Sequence, residues 1–364
     1  MTVFVRLAVA WLTVAATLLA PAIVPSSQPI IVSAALFGWI LGVIVWAAFG
    51  VVHEAEELAE ALGEPLGTLV LTLSIVIIEV ALISAVMLGS TDVPTLGRDT
   101  MFAVLMIVLN GVVGLGLLLG GQRYHQQSYN LQGAGAYLAL VIPLSIIALV
   151  MPNFTTSTSE GTLAPAQAVL FSLLTVALYG MFLWLQTGRY RGFFQPVGEA
   201  EQPPADPPAH TGPPTPIARH VVLLLANILP IIILSKSLAK LLDAGIAGIG
   251  APSALGGILI AMIVFTPEGI SALRAVAANQ LTRAVNLCLG AATSTLGLTV
   301  PAVLLIGLLT EQSVVLGLSP ANMVLLATTL VLSTLTFSGT RTTMIEGAVH
   351  LSLFAVFLIL VFSP

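Results

Sequence analysis

Charge is the scarcest property of this sequence. Asp, Glu, Lys and Arg together make up 7% of its 364 residues, against 57% hydrophobic residues and a mean hydropathy of +1.07. Soluble domains carry roughly 25% charged residues, so this chain cannot coat a globular surface in water. With 11 Lys+Arg against 16 Asp+Glu, there is no basic patch for phosphates, which excludes a nucleic-acid partner. The single cysteine, Cys288, excludes an intramolecular disulfide framework and any multi-cysteine metal site. HExxH, GxSxG and aspartates paired in facing apolar runs are all missing, so nothing points to an intramembrane enzyme or a bound cofactor. What the chain does have is long apolar runs.

A helix crossing the hydrocarbon core needs about 20 mostly apolar residues. Leu7 to His53 contains no Asp, Glu, Lys or Arg, and the Pro21–Pro29 stretch divides it into runs at 7–24 and 30–52. No convincing cleavage site follows the first run, so it reads as a span and not as a signal peptide. Further runs lie at 66–88, 101–120, 134–151, 165–186, 218–240, 253–273, 284–309, 321–338 and 345–362. The expectation is an all-α, polytopic membrane protein with about 11 transmembrane helices. Lipid is then an obligatory partner, and a homo-oligomer is compatible with the pattern.

Loop charges orient the chain. With the N-terminus inside, Arg6, Arg123, Arg189, Arg191, Arg219, Arg274, Arg283 and Arg341 fall on the cytoplasmic side, and Arg98, Lys236 and Lys240 outside. That asymmetry follows the positive-inside rule. The expected location is a bacterial inner (plasma) membrane, with the N-terminus cytoplasmic and the C-terminus outside. Residues 188–216, rich in Pro and polar residues, read as a disordered cytoplasmic linker.

Aligning Glu79 with Glu268 sets GTLVLTLSIVIIE (67–79) against GGILIAMIVFTPE (256–268). Each stretch belongs to the second span of a five-span unit. Five is odd, so the units must be oppositely oriented, a recurring transporter design with the ion site at the repeat interface. The expected organisation is an extra N-terminal helix (1–28), a first five-helix repeat (29–187), the linker (188–216) and a second repeat (217–364). An ionised carboxylate at the bilayer centre costs ~2.5–3.5 kcal/mol on insertion scales. An apolar setting favours the neutral carboxyl and a bound cation favours the charged one. A buried glutamate can therefore hold either a proton or a cation, and Glu79 and Glu268 are the candidate binding residues for both.

Hard cations take carboxylate, carbonyl and hydroxyl oxygens. Thr68 and Thr72 share a helix face with Glu79, and Ser271 lies one turn beyond Glu268. Pro267 has no N–H for the Ile263 carbonyl, which leaves that acceptor free. Asn110, Asn286, Thr293, Ser294 and Thr295, in the spans following each glutamate, are candidates for the opposite wall or for interhelical hydrogen bonds. His53, Glu54, Glu56, Glu57, Glu60 and Glu64 read as a short helical connection between spans 2 and 3. This acidic block would concentrate cations at the entrance or regulate transport, or else serve as a solvated loop. Glu311 and Glu346 fall at span ends, and His350 lies one turn after Glu346.

Three stretches resemble the bacterial ChaA-type proton antiporters: HEAEELAEALGEPLGTLVLTLSIVIIEVALI (53–83), PEGISALRAVAANQLTRAVNLCLGAATSTLGLTVPAVLLIG (267–307) and GAVHLSLFAVFLILVFSP (347–364). Those proteins belong to the calcium/proton exchanger group of the calcium:cation antiporter superfamily. The resemblance implies one extra helix plus two inverted five-helix repeats. It also implies export of cations, calcium first and sodium or potassium as alternatives, in exchange for protons. The group carries Gly-Asn-Ala-x-Glu in the first repeat and Gly-Asn-Ala-x-Glu-His in the second. Here Ile75-Val76 and Val264-Phe265 occupy the Gly-Asn positions, and Gly269 replaces the histidine. A cation channel is the rival class, but no pore-loop filter pattern is present.

Overall fold

The computed structural model describes residues 2–19, 30–63, 66–89, 94–196, 217–252 and 254–363. Among them run eleven helical segments, the number expected. They are α1 (Thr2–Leu19), α2 (Ile30–Leu62), α3 (Leu66–Gly89), α4 (Leu96–Tyr124), α5 (Leu131–Phe154), α6 (Pro165–Thr187), α7 (Ile217–Ile249), α8 (Ala254–Ala277), α9 (Leu281–Thr310), α10 (Pro320–Thr336) and α11 (Met344–Phe362). The helices pair in length across the two halves. α2 and α7 each have 33 residues, and α3 and α8 each have 24.

Helices α4 and α9 share a less ordinary feature, a π-helical turn in mid-span at Met106–Val112 and Thr295–Thr299 respectively. A π turn widens the helix by one residue and frees main-chain groups, and such turns gather at functional sites. Nothing in the apolar pattern foretells it.

Several boundaries differ from expectation. α1 starts at Thr2 and ends at Leu19, whereas a span over 7–24 was expected; residues 20–24 lie outside the described residues. Arg6 is therefore inside the helix, buried, with Nε donating to Asn227 Oδ1 of α7 at 3.1 Å. The acidic stretch is not a separate connection. EAEELAEAL is rich in strong helix formers, so α2 runs on unbroken through Leu62. The expected linker also begins with fixed structure. Arg191–Phe194 forms a 3-10 turn, with Asn130 Nδ2 donating to the Gly192 and Gln195 carbonyls at 3.0 and 3.2 Å. Residues 197–216 lie outside the described residues.

The apolar interior divides into two clusters. One gathers Ile44, Val51, Ile83, Ile231 and Leu234 from α2, α3 and α7; the other gathers Leu105, Leu144, Leu289 and Leu326 from α4, α5, α9 and α10. α8 contributes to both, with Ile260, Ile263 and Val264 on one face and Ala261, Phe265 and Ala272 on the other. Glu268 thus travels on a helix that packs into both clusters. Small residues permit the closest approaches. A Cβ on Gly347 of α11 would stand 2.5 Å from the Leu118 nitrogen of α4, and one on Gly297 of α9 would stand 2.8 Å from Tyr179 Cβ of α6.

The connection between α9 and α10 seals one end of the bundle. Its Val315 N–H donates to the Pro94 carbonyl at 2.9 Å, and Leu316 and Gly317 both donate to the Gly161 carbonyl, at 2.8 and 3.0 Å. Leu318 donates to Leu149 at 2.9 Å, and Arg98 Nη1 reaches the Gly317 carbonyl at 3.0 Å.

Candidate functional site

Glu79 and Glu268 sit in mid-helix on α3 and α8, 2% and 6% exposed. They are close enough for their charges to act on one another. Their surroundings are unequal. Glu79 Oε2 accepts from Thr299 Oγ1 at 2.8 Å and from Thr295 Oγ1 at 3.1 Å, both from the π turn of α9. Glu79 Oε1 and both oxygens of Glu268 meet no donor from another residue among the described residues. Buried polar atoms without partners are rare and call for an explanation, and here three of them fall on two carboxylates.

A cavity of about 400 Å³ leads to Glu268. Thr72, Tyr179, Gly290, Ser294, Phe194 and Asn286 line it, with exposed Pro196 and Arg283 on the side toward solvent. Three rings form one wall. Tyr137 lies 5.0 Å from Phe182 and 5.3 Å from Phe194, and the two phenylalanines are 5.7 Å apart. The Tyr137 hydroxyl accepts from Gln186 Nε2 at 2.8 Å, and the Tyr179 hydroxyl pairs with Thr72. The sealed end formed by the α9–α10 connection is not part of this lining, so the cavity opens at the end that carries Arg283 and Pro196.

The expected site residues divide. Thr295 reaches Glu79; Thr72, Ser294 and Asn286 line the cavity; Ile263 is buried one turn before Pro267. The Thr68 side chain lies outside the described residues, as does Glu64. Thr293 is buried with its hydroxyl on the Leu289 carbonyl of its own helix, and half-buried Ser271 does not line the cavity. Asn286 also makes an interhelical contact. Its Nδ2 donates to the Phe194 carbonyl at 2.7 Å and so pins the segment after α6 to the cavity wall.

Asn110 is turned away altogether. Its Nδ2 donates to Thr329 Oγ1 at 2.8 Å, and its Oδ1 lies 3.0 Å from Nδ1 of His350, whose Nε2 is 2.9 Å from Thr336 Oγ1. Because the amide NH₂ is committed to Thr329, Oδ1 must be the acceptor and His350 Nδ1 carries the hydrogen. This closed network joins α4, α10 and α11.

The acidic block also divides. Glu54 is 2% exposed, its Oε2 2.8 Å from His220 Nδ1 and its charge acting on Arg6. It belongs to a buried cluster tying α1, α2 and α7, and not to an entrance. Glu56 and Glu60 are exposed and Glu57 half-buried. Glu311 caps α9 in the left-handed region (φ 55), exposed, and Glu346 caps α11 by accepting from the Thr343 N–H at 2.9 Å. No cluster of three or more His, Cys, Asp or Glu occurs among the described residues.

Sequence reasoning missed Thr299, Tyr179 and Phe194. Thr299 stands four residues after Thr295 and just before Pro301, a spacing that offered a usable signal. Tyr179 offered only its isolated hydroxyl in an apolar run, and Phe194 offered nothing.

Comparison with known proteins places these features in context. The chain matches the family model described as sodium/calcium exchanger protein over residues 32–188 and 219–363. It is 40% identical over 322 residues to the sodium-potassium/proton antiporter ChaA of Escherichia coli (strain K12), covering 88% of this chain and 87% of that protein. It is 23% identical over 337 residues to the Ca(2+)/H(+) antiporter of Aphanothece halophytica, covering 87% and 86%. Its fold is similar to the structure of native YfkE, with a TM-score of 0.74, 18% identity and full coverage of both chains.

Proposed function

The chain belongs to the sodium/calcium exchanger protein family, and we propose that it exchanges cations for protons at one shared site built on Glu79 and Glu268. It is a multi-pass membrane antiporter of the cation/proton type. The observation that carries the site assignment is the set of three buried carboxylate oxygens with no donor from another described residue. A proton satisfies one such oxygen as a donor does, and a cation satisfies several at once. Either occupant relieves the cost of burying the pair, and both together are not needed, so one displaces the other. Alternating exposure of the site to the two sides of the membrane completes the exchange, with no covalent chemistry and no resident cofactor.

Sodium and potassium are the favoured cations. The family's Gly-Asn amide donors are replaced by Ile75-Val76 and Val264-Phe265, which leaves fewer neutral oxygens than the 6–8 that calcium prefers. The 40% identical relative is named for sodium, potassium and protons. Calcium is the second reading, favoured by two carboxylates on one site. The loop arginines favour a cytoplasmic N-terminus and an outer C-terminus in a bacterial plasma membrane, an orientation in which the open cavity faces the cytoplasm.

The test is proton flux in everted vesicles challenged in turn with sodium, potassium and calcium. Glu79→Gln and Glu268→Gln each abolish exchange while leaving the protein inserted, because glutamine keeps the shape but neither releases a proton nor neutralises a cation. Wild-type exchange in either variant would make that carboxylate structural and remove it from the site.

A further inference from the structure

Any cation that reaches Glu268 through the cavity passes a fixed positive charge. Arg283 lines the same cavity as Glu268 and is exposed to solvent. No carboxylate among the described residues pairs with it. It is the third residue of α9, so the partial positive charge of the helix N-terminus adds to its own. Arg283, Asn286, Leu287, Gly290 and Ser294 follow helical spacing along the face of α9 that lines the cavity. At about 1.5 Å per residue, Arg283 stands roughly 16 Å along the axis from Ser294. The cavity lining is therefore positive at Arg283 and acidic at Glu268, where buried Glu79 adds its field and exposed Glu56 of α2 adds a weaker one.

We infer that Arg283 is a specificity-determining residue, a fixed charge at the cavity rim that disfavours divalent cations relative to monovalent ones. The inference rests on the reading that cations reach Glu268 by this cavity. The work of bringing an ion past a fixed charge scales with the ion's charge. Whatever the distance and dielectric, the penalty factor for a divalent ion is therefore the square of that for a monovalent ion. A cavity of about 400 Å³ has room for about a dozen waters at ~30 Å³ each, so ions enter hydrated and the field is attenuated much as in water. With ε near 80 and a separation of roughly 8 Å, the factor is about 2.4-fold for sodium or potassium and about sixfold for calcium. A surface charge of this kind is screened beyond about 10 Å at 0.1 M salt.

The experiment compares wild type, Arg283→Gln and Arg283→Lys in everted vesicles at subsaturating sodium and calcium. Calcium is read as a transported ion or, where it is not carried, as a competitor of sodium. Arg283→Gln is expected to raise the sodium rate about 2.4-fold and the effect of calcium about sixfold, with both gains shrinking at high salt. Arg283→Lys keeps the charge and behaves as wild type. Equal factors for the two valences, or a lysine variant that behaves like the glutamine one, would overturn the inference in favour of a packing role.

A second route avoids dependence on folding of the glutamine variant. Arg283→Cys in a Cys288→Ala background is treated in the membrane with a cationic or a neutral thiol reagent. Only the cationic adduct restores discrimination if the charge is what matters, and restoration by both overturns the inference. Loss of the parent reading shows separately, as exchange that survives Glu268→Gln.

Discussion

Replacing Thr299 by valine removes a hydroxyl at nearly constant volume from the best-defined contact of the site, the 2.8 Å bond to Glu79 Oε2. A hydrogen bond to an ionised group is worth about 1.5–3 kcal/mol, against about 0.5–1.5 kcal/mol for a neutral pair. The hydroxyl therefore favours the ionised, cation-holding form of Glu79 over the protonated form by about 1 kcal/mol. Since one pH unit corresponds to about 1.4 kcal/mol, losing the hydroxyl moves half-maximal exchange about 0.7 unit toward alkaline pH. The half-saturating cation concentration at fixed pH rises about fivefold.

The sign follows from competition. Without the donor, protons hold the carboxylate more firmly, so more cation or fewer protons are needed to displace them. Thr299→Ser keeps the hydroxyl and stays near wild type. Thr295→Val, acting through a 3.1 Å bond to the same oxygen, has a smaller effect, and the double variant falls short of the sum because both donors share one acceptor. The assay is cation-dependent proton flux across a pH series in everted vesicles. A Thr299→Val protein with lowered turnover but unchanged half-saturation and pH profile would refute the reasoning.

Four further outcomes follow. Glu54→Ala breaks the buried pair with His220 and removes a carboxylate that acts on Arg6, costing about 3–5 kcal/mol, visible as a lowered unfolding temperature in detergent; an unchanged temperature would show the cluster to be inert. His350→Leu orphans Asn110 and Thr336 and costs about 1–3 kcal/mol, whereas His350→Gln, which both donates and accepts, recovers part of that loss. Gly297→Val drives a side chain into Tyr179 across the α6–α9 contact and destabilises by about 1–3 kcal/mol. Shortening residues 199–214 leaves exchange intact, while Phe194→Ala, which opens the aromatic wall, alters the cation dependence; equal tolerance at both places would contradict the role given to the 191–196 turn.

Much of this protein is written in its linear pattern, because a bilayer imposes one rule on every span. A run of about 20 apolar residues has a single way to satisfy its main-chain groups in hydrocarbon. Hence eleven runs became eleven helices, and runs such as 66–88, 165–186 and 345–362 met their helices within two residues at either end. The two glutamates were legible for the same reason: a carboxylate in mid-span is too costly to be incidental. The pattern failed where contacts between helices decide. Glu54 looked like its acidic neighbours, yet the crossing of α2 and α7 buries it against His220. Asn110 and Asn286 carry the same side chain in equivalent helices, yet one closes a network with His350 and the other holds the Phe194 carbonyl. The π turn of α9 that aims Thr295 and Thr299 at Glu79 leaves no trace in hydropathy. Hydropathy reports each residue's exchange between water and lipid, whereas which hydroxyl meets which carboxylate is set by helix rotation and approach, and those exist only once the eleven helices have packed.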